Sequence, residues 1–106
     1  MTEATLEKVN LEIEGRKFDL GSVVMTSGVA CLIGNEQIHP GYVQECLQRH
    51  QKGDWGDLCE EDKEINDLGV EDGDRILSSY KKGDITIWII TEWDRSVTTA
   101  LLPSEY

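Results

Sequence analysis

With 106 residues, 39% of them hydrophobic, the chain is one domain's worth of sequence, and three Trp plus runs of Ile and Val can fill a core without staples. Twenty-one acids against ten bases give a net charge of −11. That balance argues against direct binding to nucleic acid or anionic membranes, because affinity for phosphates comes largely from Lys and Arg.

The chain opens on MTEATLEKVN, polar and acidic, with no basic start followed by an apolar block. No stretch approaches the ~20 apolar residues of a membrane span, so the expectation is a soluble, cytoplasmic protein. Residues 1–8 read as a flexible lead-in and 9–106 as a single domain. Val9, Leu11 and Ile13 alternate with polar residues, the period of a half-exposed strand. Residues 17–20 can pair back weakly after Gly15-Arg16, and 22–25 form a short strand. Thr26 or Ser27 can cap an apolar helix over 28–33, stopped by Gly34-Asn35.

Pro40 suits a first helical position, and Val43, Cys46, Leu47 and His50 recur at helical spacing as a buried stripe. Gly53 ends that helix, and the tight loop GDWGD follows. Asp57 is placed to cap a further helix over 58–68, with Glu60 and Glu61 in its first turn, where the helix dipole favours acids. At ~100° per residue, Leu58, Cys59, Ile65 and Leu68 mark a broad apolar face. Glu61, Asp62 and Asn66 fall within that face, while Glu60, Glu64 and Asp67 point to solvent. Asp62 and Asn66 therefore read as polar groups held near the core. Gly69 and an acidic turn lead to a strand over 75–80, and Lys81-Lys82-Gly83-Asp84 reads as a hairpin loop. The run 85–90 is apolar on both faces and belongs to a central strand; 97–102 folds back antiparallel to it and is closed off by Pro103. The fold class is α+β: a short N-terminal strand pair, two or three helices, and a C-terminal antiparallel meander against which they pack.

Cys31, Cys46 and Cys59 are odd in number and far apart, with no CxxC, so buried free thiols are expected, with no zinc site, disulfide or cofactor. Two clusters carry possible chemistry. His50, Asp54, Asp57, Glu92, Asp94 and Arg95, with Asp62 and Asn66, could converge if the acidic helix lay across the end of the meander. Carboxylates with a His can share acid–base work or hold a divalent ion. The alternative is structural: Asp54 and Asp57 cap helix ends, Asp62 and Asn66 tie down backbone, and Arg95 pairs with a carboxylate. The second cluster is the segment 54–74, with ten acids and one base, Lys63. It reads either as a solvated face or as a phosphate-like surface for a basic groove, in which Trp55, Glu60, Glu64, Asp67, Glu71, Asp72 and Asp74 would make the contacts.

The stretches RHQKGDWGDLCEEDKEIN, ILSSY and IWIITEWDRSVTTALLPSEY resemble a family of small plasmid-related proteins of plasmids and other mobile elements, some labelled as associated with type I restriction-modification. The resemblance covers roughly 18–106, with a longer acidic N-terminus and Trp93 as departures. It implies a mobile-element setting, with His50, Asp54, Trp55, Asp57, Asn66, Glu92, Asp94 and Arg95 as hallmark polar positions. Two functional readings stand at this point. One is an acidic module that engages a protein partner through a basic surface and inhibits a nucleic-acid or defence enzyme. The other is a small metal-dependent or acid–base enzyme.

Overall fold

The computed structural model describes residues 15–106, so the strand expected over 9–13 and the whole lead-in, 1–8, lie outside the described residues. The described chain is α+β. Strand β1 (Ser22–Met25) is followed by helices α1 (Ser27–Gly34), α2 (Pro40–Gln51) and α3 (Glu60–Asp72), then β2 (Ile76–Lys82), β3 (Ile85–Thr91), β4 (Val97–Leu101) and a 3-10 turn, Pro103–Glu105. The sheet order is β1-β4-β3-β2, so β3 and β4 are interior. β2, β3 and β4 form the expected antiparallel meander. Residues 17–20 are not a strand, and β1 pairs in parallel with β4 instead.

Local signals place most elements where the residues direct them. Thr26 accepts the Val29 N–H through its hydroxyl and starts α1. Pro40 opens α2, whose buried side is Tyr42, Val43, Cys46, Leu47, His50 and Gln51. The β2–β3 turn is tighter than the four-residue loop expected. Lys82 pairs with Ile85, leaving Gly83 and Asp84 alone at the tip, with Gly83 at φ 61°.

Register sorts the sheet into two faces. Ile76, Ser78 and Tyr80, with Ile87, Ile89 and Thr91, Thr98 and Ala100, and Val23 and Met25, lie on one side. That side packs against Val29, Val43, Cys46 and Leu47 to make the core. The other side carries Val24, Leu77, Trp88, Ile90, Thr99 and Leu101. Ile90 and Leu101 on that side are buried, at 3% and 6% exposure. The Tyr106 ring lies edge-on to Trp88, 5.6 Å between centroids, and Arg75 stacks over Tyr106 at 5.2 Å. Cys46 is buried, which pushes its thiol up to about 11, whereas Cys31 and Cys59 are exposed, contrary to the expectation that all three are buried.

α3 departs most from expectation. It starts two residues later than expected, and Cys59, not Asp57, is its N-cap, with no side-chain cap bond. It also runs past Gly69 and stops at Gly73, in the left-handed region at φ 74°. Gly69 is an interior helical glycine because α3 crosses β2 closely there: a Cβ would meet Ile76 Cδ1 at 3.0 Å. Its propensity cost of about 1 kcal/mol is the condition for that approach.

Ile89 is fully buried on an interior strand. Ile89→Ala should lower unfolding free energy in urea by about 2–5 kcal/mol through lost burial and a cavity; a loss below about half a kilocalorie would contradict the placement of β3 at the centre of the core.

Candidate functional site

The acid–base cluster does not assemble. His50 is fully buried, and both ring nitrogens are engaged, Nδ1 with Ser78 Oγ at 2.5 Å and Nε2 with Thr91 Oγ1 at 2.9 Å. The chain continues to Thr98 Oγ1 at 2.7 Å, whose hydroxyl donates to the Leu20 carbonyl at 2.7 Å. That last bond sets the direction of all the others. Thr98 has spent its one proton, so Thr91 must donate to Thr98 and accept from His50 Nε2–H. Nδ1 is then the acceptor for Ser78. His50 is a neutral core residue that joins α2 to β2 and β3, and it is not available as a catalytic base. Phe18 and Trp55 close over it edge-on, at 5.2 and 5.9 Å.

The aspartates of the GDWGD loop serve other ends than helix capping. Asp54 forms an ion pair with Arg49, Nε to Oδ2 2.6 Å, and accepts the Gly56 N–H. Its carboxyl is held below the ordinary value, first by the Arg49 hydrogen bond. Asp57 turns to the sheet. β2 is an edge strand whose outward backbone groups lie at Leu77, Ser79 and Lys81, and the Asp57 N–H donates to the Ser79 carbonyl at 2.7 Å. The Ser79 N–H donates to the Trp55 carbonyl at 3.3 Å, and the Lys81 N–H to Asp57 Oδ2 at 2.8 Å. Gly56 sits between them at φ 74°, where a Cβ would fall 2.0 Å from the Ser79 oxygen, so only glycine fits.

Asn66 completes the edge. Its Nδ2 donates to the Leu77 carbonyl at 2.7 Å, and the Leu77 N–H donates to its Oδ1 at 3.3 Å. The expectation that Asn66 ties down meander backbone is met; for Asp62, beside it on the wheel, it is not. Asp62 is exposed, because the buried side of α3 comprises only Asn66 and Gly69. The outer end of α3 is gripped by Arg95, at φ 59°. Its guanidinium donates to the carbonyls of Gly69 (3.1 Å), Asp74 (2.5 Å) and Glu92 (3.2 Å), a cation on the negative end of a helix, where a carboxylate partner had been expected. Glu92 pairs with Arg75 at 3.7 Å, and Asp94 accepts from Ser96 N–H and Oγ–H within its own turn. The loop at 53–57 and the turn at 92–96 therefore secure different parts of α3 and β2 and enclose no common site.

Trp55 is also corrected. It is 3% exposed, stacks on Phe18 with centroids 6.2 Å apart, and donates Nε1–H to Asp67 Oδ1 at 2.9 Å. It supports α3 from beneath and does not face a partner. The other expected contact residues, Glu60, Glu64, Asp67, Glu71, Asp72 and Asp74, are all exposed. Lys63 pairs with Glu60 at 3.6 Å. Glu61, Asp62, Glu64, Glu71, Asp72 and Asp74 have no ion pair or side-chain hydrogen bond among the described residues.

What sequence reading missed is the apolar part of this surface. Ile65 and Leu68, assigned to a buried face, are 63% and 60% exposed. Beside them Leu58, Asp62, Ile65, Asn66, Arg75 and Leu77 line a concavity of about 260 Å³ between α3 and β2. Among the described residues no group of three or more His, Cys, Asp and Glu side chains is placed to hold a metal ion, and no helix is long and apolar enough to cross a membrane. Comparison with protein-family models, curated proteins and solved structures finds no match.

Burial drives the His50 pKa down to about 3, with the Arg95 charge adding to the effect. The unfolded chain carries an ordinary imidazole of about 6.5. Because the folded value is the lower one, stability is fully present above roughly pH 6.5 and falls, by up to about 1.4 kcal/mol per pH unit, as pH drops towards 3. NMR of the native protein should show a neutral Nε2–H tautomer for His50 that does not titrate between roughly pH 7.5 and 5. A ring that protonates near pH 6 in the folded state would contradict the buried chain.

Proposed function

We propose that this chain is an acidic protein-interaction module whose working surface is the outward side of α3, presented to a partner that carries a basic surface. One observation carries the reading. α3 holds an exposed array of carboxylates without partners, together with two exposed large aliphatic side chains, on a helix clamped from beneath by Asn66, Trp55 and Arg95. A solvated face needs neither rigid support nor exposed Ile and Leu. Fixed negative charge of this density steers basic surfaces into encounter, and the attraction weakens as salt screens it. The resemblance to plasmid-related proteins suggests where such partners are found: among the cytoplasmic nucleic-acid and defence enzymes of a cell carrying a mobile element. There the acidic helix would occupy a groove built for phosphates and inhibit the enzyme. His50, enclosed and neutral, does not support an enzymatic reading built on it as the base.

The test reverses charge without touching the supports. Asp67 is spared, because its carboxylate takes the Trp55 indole proton. The variant Glu60→Lys, Glu64→Lys, Glu71→Lys, Asp72→Lys should keep the far-UV spectrum and cooperative unfolding of the native chain. Wild-type protein immobilised in a lysate of the host should retain a saturable partner at low salt, release it as ionic strength approaches about 0.5 M, and yield it to added duplex DNA; the variant should retain none. Equal retention of the same proteins by both would end the reading.

A further inference from the structure

The pattern of side chains on α3 says more about the partner than its charge. Glu60, Glu64, Asp67 and Glu71 follow one another at spacings of four, three and four, and so form one all-acidic stripe along the helix. Glu61, Ile65, Leu68 and Asp72 repeat the same spacing on the adjoining stripe, with two aliphatic residues between two acids. That is the arrangement of a helix seam: apolar anchors in line and charges along the flank. On the far side of Ile65 the surface dips into the concavity lined by Leu58, Asp62, Asn66, Arg75 and Leu77, in which the one cation, Arg75, is already paired with Glu92 and stacked on Tyr106. We infer that this seam is the docking site of a basic amphipathic helix of the partner, lying along α3 with apolar side chains against Ile65, Leu68 and the Leu58–Leu77 notch.

Three features of the surface select that occupant. An extended peptide cannot add a strand here, because the outward groups of β2 at Leu77 and Ser79, with the Lys81 N–H, are already bonded to Asn66, Trp55 and Asp57. Contact must therefore run side chain to side chain, as between helices. A second copy of this chain would bring two acidic stripes together, with Lys63 on Glu60 as the sole ion pair along each among the described residues, and like charges so placed repel. A basic helix instead sets Lys or Arg opposite Glu61, Glu64, Glu71 and Asp72 while its apolar stripe covers Ile65 and Leu68. α3 has 13 residues, about 20 Å of axis, so the match is a helix of some three to four turns.

The inference rests on the proposed function above, and its test separates the two. The probe is a labelled synthetic peptide of about 18 residues, capped at both ends, with Leu at helical spacing and Lys elsewhere among Ala. The control peptide has the same composition, with the Leu positions scrambled. In fluorescence anisotropy at low salt the patterned peptide should bind about tenfold or more tighter than the control, since two aliphatic side chains become buried only in its complex. Amide shifts on binding should concentrate on α3, Leu58 and Leu77. Ile65→Ser with Leu68→Ser, both at exposed positions, should erase the preference while leaving the weak binding of the control unchanged. If both peptides bind equally and only charge reversal on α3 weakens them, the helix seam is wrong and the acidic surface stands. If neither peptide binds the native protein, both readings fall.

Discussion

The position of α3 depends on one side-chain amide. Asn66 meets the Leu77 peptide group with both of its polar atoms, as a neighbouring strand would, and so joins the helix to an edge strand that would otherwise show open backbone. Each such bond contributes only about 1 kcal/mol net, but losing one partner leaves a part-buried backbone group unsatisfied, at a cost of about 1 kcal/mol or more. The other attachments of α3 are polar too: the Trp55 indole on Asp67, and Arg95 on the Gly69 and Asp74 carbonyls around its C-terminal end. A helix fastened by hydrogen bonds does not have to spend its aliphatic residues on the core. Ile65 and Leu68 are thereby left outside.

The same logic explains why the GDWGD loop and the polar residues after β3 look like a site without forming one. They meet the backbone's demand for partners at a sheet edge and at a helix end. Asp57 serves two groups of β2, Gly56 allows the loop to press against Ser79, and Arg95 accepts a left-handed backbone so that its guanidinium can reach three carbonyls. The buried chain from Ser78 through His50, Thr91 and Thr98 to Leu20 acts in the interior in the same way, tying α2, the three strands β2, β3 and β4 and the segment before β1 together with every proton assigned. Satisfied networks of this kind fix register, because a one-residue slip of β2 or β3 would leave several members unpaired.

Much of the fold was legible in the sequence because its signals are local: the apolar run of β3, Pro40 at the start of α2, Thr26 before α1, and the stripe that put His50 inside. What was not legible depended on distant partners. Asp57 is a good cap by residue type, but Lys81, 24 positions away, claims its carboxylate. Gly69 looks like a stop and is instead the point of closest approach to Ile76. The helical wheel correctly turned Asn66 inward. It could not show that α3 lies at the margin of the sheet, where the surface beneath Asp62, Ile65 and Leu68 runs out. Hence the apolar residues of the candidate surface were assigned to the core, and Trp55, which is in the core, was assigned to the surface.

The claim that polar attachments, Asn66 first among them, hold the acidic, aliphatic face outward is tested most directly by hydrogen exchange on Asn66→Ala. If Asn66 is the principal fastening, the amides of α3 and the Leu77 N–H should lose protection by about one to two powers of ten, while Ile87 and Ile89 in β3 keep theirs. Unchanged protection of α3 would show that it is seated by contacts other than these, and loss of protection in α3 and β3 together would show that the helix is an inseparable part of the core; either result would contradict the account.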